Sequence, residues 1–235
     1  MTKISKKNSI EQVQKQLTAE CFNKLFIGGQ FFDPIDGQKM PTHYPATGEV
    51  FHELPKGNAN DIESAIREAE AAWSDGTWAN MPASARGDLV SRMAEGIEEN
   101  IEVLAAIEAA DVGKPFRQAA MVLGGAASEG KYWASLGAVL DSEQDKPVNS
   151  GGGVGGLPPT EWDVVYRRDP IGFVGLISAW NYPLNVAFRK VAPALVAGNC
   201  AILKPSEIAG LSCMFLGKLA QDVGIPEGVF NIITG

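Results

Sequence analysis

The sequence predicts an α/β fold: an incomplete doubly wound parallel sheet with an N-terminal helical layer and a protruding strand. Three observations carry this expectation. Short apolar runs alternate with helical patterns from residue 170 to residue 235. Apolar residues recur at helical spacing from about residue 60 to residue 140. Between these regions, NSGGGVGGLPPT and then EWDVVYRRD read as a glycine-rich loop leading to an isolated strand.

The elements follow in order. Residues 1–20 read as a polar tail, with Lys3, Lys6 and Lys7 as its cluster of charge. Leu25–Phe32 predicts two short strands around a Gly-Gly turn. Asp33–Thr47, rich in Pro, Gly and Asp, predicts a loop. Asn60, with Glu63 three residues on, predicts a capped helix whose inner face is Ile62, Ala65, Ile66, Ala69 and Trp73. Pro82 opens a second helix with Leu89, Met93 and Ile97 on one face. Asn100 caps a third, with Ile101, Leu104 and Ile107 inward. Gly113-Lys114-Pro115 breaks the pattern, and helix resumes to about Leu140.

Beyond the glycine-rich loop, Trp162, Val164 and Tyr166 alternate along Glu161–Asp169 as in an amphipathic strand. Gly172–Ala179 and Cys200–Lys204 predict short buried strands, and Val229–Thr234 a third. Pro183 fits the first position of a helix ending near Gly198, and Ile208–Val223 fits another. The result is β-α-β-α-β, one half of a Rossmann-like fold. Val229–Thr234 is expected at an exposed edge of its sheet. The organisation expected is a tail over 1–20, a helical part over 21–145, the loop and strand over 146–169, and the β-α-β-α-β unit over 170–235.

Composition excludes several classes of function. The chain has 235 residues, 45% hydrophobic and 20% charged, with a formal charge of −8. An acidic surface repels phosphate backbones, so nucleic acid is not expected as a partner. No apolar run reaches the roughly 18 residues of a membrane span, so no membrane partner is expected either. The N-terminus has no signal-peptide apolar core, which makes a cytoplasmic location the expectation. Cys21, Cys200 and Cys213 lack CxxC spacing, and His43 and His52 are the two histidines. No metal site is expected from this set.

Chemistry must sit elsewhere. No GxGxxG follows a strand, and Gly151–Gly156, with no apolar strand before it, reads as a linker. Trp180-Asn181-Tyr182-Pro183 lies at the carboxyl end of the first strand of the unit, where open α/β sheets place ligands. The Asn181 amide there can donate to a developing oxyanion; alternatively, Asn181 caps the following helix. Lys204-Pro205-Ser206-Glu207 lies at the carboxyl end of the next strand, where a cation and a carboxylate can grip a ribose diol. Its bland alternative is an ordinary loop.

Together, PIGFVGLISAWNYPL, KVAPALVAGN, AILKPSE, GIPEGVFNIITG and the earlier DVGKP resemble the aldehyde dehydrogenase superfamily, over about residues 25–235. The resemblance implies oxidation of an aldehyde to a carboxylic acid through a cysteine hemithioacetal and hydride transfer to NAD. It implies Asn181 as oxyanion donor. Ile177, Ser178 and Trp180 would line the nicotinamide-ribose side of the cofactor cleft, and Lys204 and Glu207 would hold the adenosine ribose. The Glu207 carboxylate would repel a 2′-phosphate, favouring NAD over NADP. Tyr182 is a candidate wall for the substrate. Residues 160–169 would join a partner subunit in a homo-oligomer. The family's nucleophilic cysteine and general-base glutamate come later than this chain reaches, so the chain alone is expected to be inactive.

Within the superfamily the closest look is to betaine-aldehyde and aminoaldehyde dehydrogenases. Three departures stand out: Ala179 where the family usually has Pro, Val122 and Gly125 at positions acidic in those enzymes, and Arg189 in place of a Trp. A cation at Arg189 would disfavour a cationic aldehyde. The competing readings are a non-catalytic remnant that associates with family subunits and an unrelated α/β nucleotide-binding module.

Overall fold

A computed structural model describes residues 10–143, 146–147 and 165–235. The glycine-rich loop and the start of the predicted excursion strand lie outside the described residues. The chain order is α1 (Ile10–Gln16), a 3-10 turn (Glu20–Phe22), β1 (Leu25–Ile27), β2 (Gln30–Phe32), β3 (Lys39–His43) and β4 (Val50–Pro55). Then come α2 (Ala59–Asp75), α3 (Ala83–Glu99), α4 (Ile101–Val112), α5 (Phe116–Glu143), β5 (Lys146–Pro147) and β6 (Val165–Tyr166). The chain finishes with β7 (Phe173–Ile177), α6 (Pro183–Val196), β8 (Cys200–Lys204), α7 (Leu211–Val223) and β9 (Phe230–Ile232).

The β-α-β-α-β unit forms as the pattern predicts, with β7, β8 and β9 parallel neighbours. The sheet does not stop there. Its order is β2-β1-β9-β8-β7, because β1 adds antiparallel to β9 with Phe26 opposite Ile232. The expected exposed edge at Val229–Thr234 is therefore wrong: every residue of that segment is buried. The outer strands are β2 and β7, and on β7 Phe173 and Ile177 are exposed. The apolar run around β7, expected to be buried on both faces, belongs to an edge strand. The β1–β2 hairpin crosses the far side, and the Asn231 side chain fixes it by accepting from the Gly28 amide at 2.8 Å.

The helical layer packs tightly. Gly87 on α3 and Gly137 on α5 allow backbone contact: a Cβ on Gly87 would meet the Ala134 carbonyl oxygen at 2.4 Å, and one on Gly137 the Ala83 oxygen at 2.3 Å. The Asp141 carboxylate on α5 accepts from the amides of Ala83 and Ser84 at 2.7 and 2.8 Å, capping α3 from outside its own sequence. Buried Arg86 donates to the carbonyls of Val196, Trp78, Ala79 and Met81, tying α3 to the end of α6. Its cation is held by carbonyl oxygens, each a charge-assisted acceptor.

Four sequence expectations are corrected. The stretch read as a polar tail carries α1, whose Val13 joins Leu17 and Cys21 in the core. The loop over Asp33–Thr47 contains β3, which pairs antiparallel with β4 and shifts register after Thr42. Only Thr42 of β3 is buried, so no alternation marked it, and Pro41 is tolerated in a two-stranded ladder with free edges. The cap of α2 is Asn58, two residues before the one predicted. Its side chain accepts from Asn60 and Asp61, and Asp61 answers by accepting from the Asn58 amide at 2.9 Å. Finally, the described end of the excursion is not isolated, since β6 pairs antiparallel with β5.

Candidate functional site

The site starts from the parallel pair β7 and β8. Ile177 lies opposite Lys204 in their register, and the Ser178 amide donates to the Lys204 carbonyl at 3.1 Å. The two motif loops therefore leave the sheet side by side at its carboxyl edge. Trp180 and Ile177 are exposed, at 51% and 72%, so their apolar surfaces are free to meet a ligand. Ser178 is buried; its hydroxyl lacks a conventional hydrogen-bond partner and lies against the Cys213 thiol.

Asn181 is exposed, and the helix after it begins with Pro183 behind an N-cap at Tyr182, with no side chain capping it. The helix-cap alternative for Asn181 therefore has no hydrogen bond behind it. Tyr182 is half-buried, and Lys114 Nζ stands 4.6 Å from its ring centroid. In the second loop, Lys204 Nζ and Glu207 Oε2 are 3.5 Å apart, both partly exposed. A backbone hydrogen bond at Glu207 and the Lys204 charge hold that carboxyl below its usual range. It is ionised near neutrality. The predicted long helix from Ile208 starts only at Leu211, so residues 205–210 remain a loop.

Two cavities adjoin these loops. One of about 190 Å³, almost wholly apolar, is lined by Gly57, Ile62, Ile177, Ile202, Lys204 and Ile233. Another of about 460 Å³ brings Trp180 and Glu207 together with His43, Ile208 and the buried Asp111. A cavity of about 510 Å³ lies apart, around Arg86, Asp141 and residues 167–171, and is lined by none of Ile177, Ser178, Trp180, Asn181, Tyr182, Lys204 and Glu207.

Sequence reasoning missed the support beneath the loops. Glu108 is fully buried on α4. Its Oε2 accepts from Lys114 Nζ at 2.8 Å, and its Oε1 from Ser212 Oγ at 3.0 Å and the Leu184 amide at 3.3 Å. Asp111 Oδ2 accepts from the Leu211 amide at 3.1 Å, while Oδ1 has no partner. The two carboxylates thus face the N-termini of α6 and α7, where helix dipoles favour negative charge. Burial, with Glu108 adding, pushes the Asp111 carboxyl up to about 7. The signal was present in spacing: Glu108 and Asp111 stand four residues after Leu104 and Ile107, on the inward stripe of α4.

The cysteines are poor nucleophiles. All three are buried, and burial raises Cys21 and Cys200 to about 11 and Cys213 well above its usual value. Arg189 forms an ion pair with Glu129 of α5 at 2.9 Å, so its charge is partly answered within the chain. Among the described residues, no His, Cys, Asp and Glu cluster is arranged to hold a metal, and no helix is long and apolar enough to cross a membrane.

Known proteins give the frame. The chain is 40% identical over 214 residues to aminoaldehyde dehydrogenase 2 of Zea mays, and likewise to betaine aldehyde dehydrogenase 1 of Oryza sativa subsp. japonica. Each match covers 90% of this chain and 41% of the relative, so the chain spans well under half of their length. The crystal structure of betaine aldehyde dehydrogenase from Staphylococcus aureus in complex with NAD+ superposes with a TM-score of 0.85 at 29% identity, covering 96% of this chain and 43% of that one. Residues 32–235 match the aldehyde dehydrogenase family. That span takes in every strand and helix that carries the two motif loops, and the chain belongs to the aldehyde dehydrogenase family.

Proposed function

We propose that this chain is the cofactor-binding portion of an NAD-dependent aldehyde dehydrogenase that oxidises an aldehyde to a carboxylic acid. The observation that carries the reading is the Ser178–Lys204 hydrogen bond, which sets the Asn181 loop and the Glu207 loop at one sheet edge. The cofactor fits the residues present. The apolar slot beside Ile177 and Ile202 suits a flat, uncharged ring, and Lys204 and Glu207 offer a donor and an acceptor to a ribose diol. Ile177, Ser178 and Trp180 would flank the nicotinamide ribose. The chemistry that NAD supplies when bound is hydride acceptance. An ionised Glu207 disfavours the extra phosphate of NADP.

Asn181 takes the role of oxyanion donor, its side chain exposed at the start of the loop. Tyr182 takes the side of the substrate. None of the three buried cysteines suits the nucleophile, and the thiol and general base of the reaction are assigned to the part of the family fold that this chain does not span. A cytoplasmic location and a homo-oligomer joined through residues 160–169 complete the proposal. The β5–β6 ladder supports the latter by placing the described end of that segment in a sheet separate from the main one.

Calorimetric titration of the chain with NAD and NADP tests the reading. NAD should bind more tightly, and Glu207→Gln should narrow the preference a few-fold by removing one charge from the ribose. Absence of saturable NAD binding overturns the cofactor assignment; an unchanged preference in the variant overturns the role of Glu207.

A further inference from the structure

We infer that the buried Glu108–Lys114 ion pair positions the Asn181 loop, acting through the ring of Tyr182. The geometry is specific. The two side chains are 1% and 7% exposed and 2.8 Å apart, deeper than any other ion pair among the described residues. Buried pairs of this kind are weak sources of stability, since desolvation offsets most of their attraction. Their value is directional. Glu108 reaches the first turn of α6 through the Leu184 amide and the first turn of α7 through Ser212. One carboxylate thereby registers both helices that follow the motif loops against α4.

Lys114 completes the device from the other side. Its ammonium is held by Glu108 and faces the Tyr182 ring at 4.6 Å from the centroid, within cation–π range. Tyr182 is the residue directly after Asn181 and the N-cap of α6, a helix start that no side chain caps. The ring contact and the Leu184–Glu108 bond bracket that start, one residue before Pro183 and one after. The backbone that aims Asn181 is thus fixed by Glu108 on α4 and Lys114 in the α4–α5 turn, neither of which lines the cavities beside the motif loops. Lys114 and Glu108 are positioning residues. Their catalytic meaning rests on the proposed role of Asn181, whereas the mechanical link does not.

The link is tested on the 235-residue chain by amide hydrogen exchange at residues 181, 182 and 184, with the melting temperature recorded in parallel. Lys114→Met keeps the stem and removes the cation. The double variant Glu108→Gln, Lys114→Met removes both charges and keeps an acceptor for Leu184 and Ser212, so it stays folded where the single change fails. Tyr182→Leu removes the ring and Tyr182→Phe retains it. The double charge variant and Tyr182→Leu should each accelerate exchange at these amides on the order of ten-fold, with the melting temperature moved little. Tyr182→Phe should exchange like the parent, and combining Lys114→Met with Tyr182→Leu should add nothing to the larger single effect. Parental exchange in the folded double variant, or in Tyr182→Leu, overturns the inference. So does full additivity. None of these readouts depends on turnover or NAD, so a failure of the enzymatic reading shows separately.

Discussion

The Asp111 carboxylate accepts from the Leu211 amide at 3.1 Å, so a side chain on α4 closes the N-terminus of the helix that follows the Glu207 loop. This acid is fully buried and its second oxygen has no partner. The arrangement stabilises the helix start and makes ionisation of the same group costly.

The pH dependence of stability follows from that cost. Burial raises the Asp111 carboxyl from 3.8 to about 7. Between those values the folded chain keeps a proton that the unfolded chain has lost. Stability from this group is therefore fully present below about pH 4 and is lost as pH rises to about 7. The steepest loss is about 1.4 kcal/mol per pH unit. Asp111→Asn should remove this slope, keep an acceptor for Leu211 and melt higher than the parent above pH 7. Parallel melting curves for the two proteins from pH 4 to pH 8 would contradict it.

Asn181 gives a kinetic prediction. In a catalytically complete enzyme carrying this sequence, Asn181→Ala should lower kcat by roughly 10²–10³-fold, as for loss of one oxyanion donor. NAD affinity and melting temperature should hold, because the side chain caps no helix. Steady-state kinetics with calorimetry of the same variant decides the point; a stability loss with normal kcat assigns Asn181 to structure.

The exposed edge predicts self-association. Phe173 and Ile177 stand exposed on a parallel edge strand, with Ile171 beside them at 87% exposure. Such an edge templates pairing with other chains. Ile177→Lys should shift the isolated chain toward monomer in size-exclusion chromatography with light scattering. The same charge change on β2, at Phe32, should have less effect if β7 is the sticky edge, and an equal effect would remove β7 from that role.

The cap of α2 gives a stability prediction. Asn58→Ala removes the acceptor for the amides of Asn60 and Asp61 and should cost about 1 kcal/mol. Asn60→Ala should be nearly neutral. Urea denaturation of both variants distinguishes the cap chosen by the fold from the cap suggested by spacing.

Legibility in the sequence tracked how strongly local residues dictate structure. Cys200–Lys204 was read residue for residue, since an apolar run flanked by Gly198-Asn199 and Pro205 leaves one register. The motif loops were placed correctly for the same reason, their strands being short and sharply bounded. The cap of α2 slipped because Asn58 and Asn60 each precede an acid by three residues; only tertiary contact chooses, through Asp61 also accepting from the Ile35 amide at 3.0 Å. The edge was misassigned because strand order is not a local property, and nothing in VFNIIT announces that LFI will lie against it. Glu108 and Asp111 were passed over because an acid on a helix is ordinarily solvated; their position on the apolar stripe was the available clue.

The β1 partnership has a consequence for how the chain is made. Gly28 and Asn231, which lock the hairpin to β9, are 203 positions apart in sequence. Leu25, Phe26 and Ile27, all buried in the finished sheet, emerge from the ribosome long before the strand that covers them. Closing so long a loop is entropically modest but slow to find. The β1–β2 hairpin must wait through synthesis of the 203 positions that separate Gly28 from Asn231, an apolar ribbon in need of shelter until β9 joins it to the parallel strands.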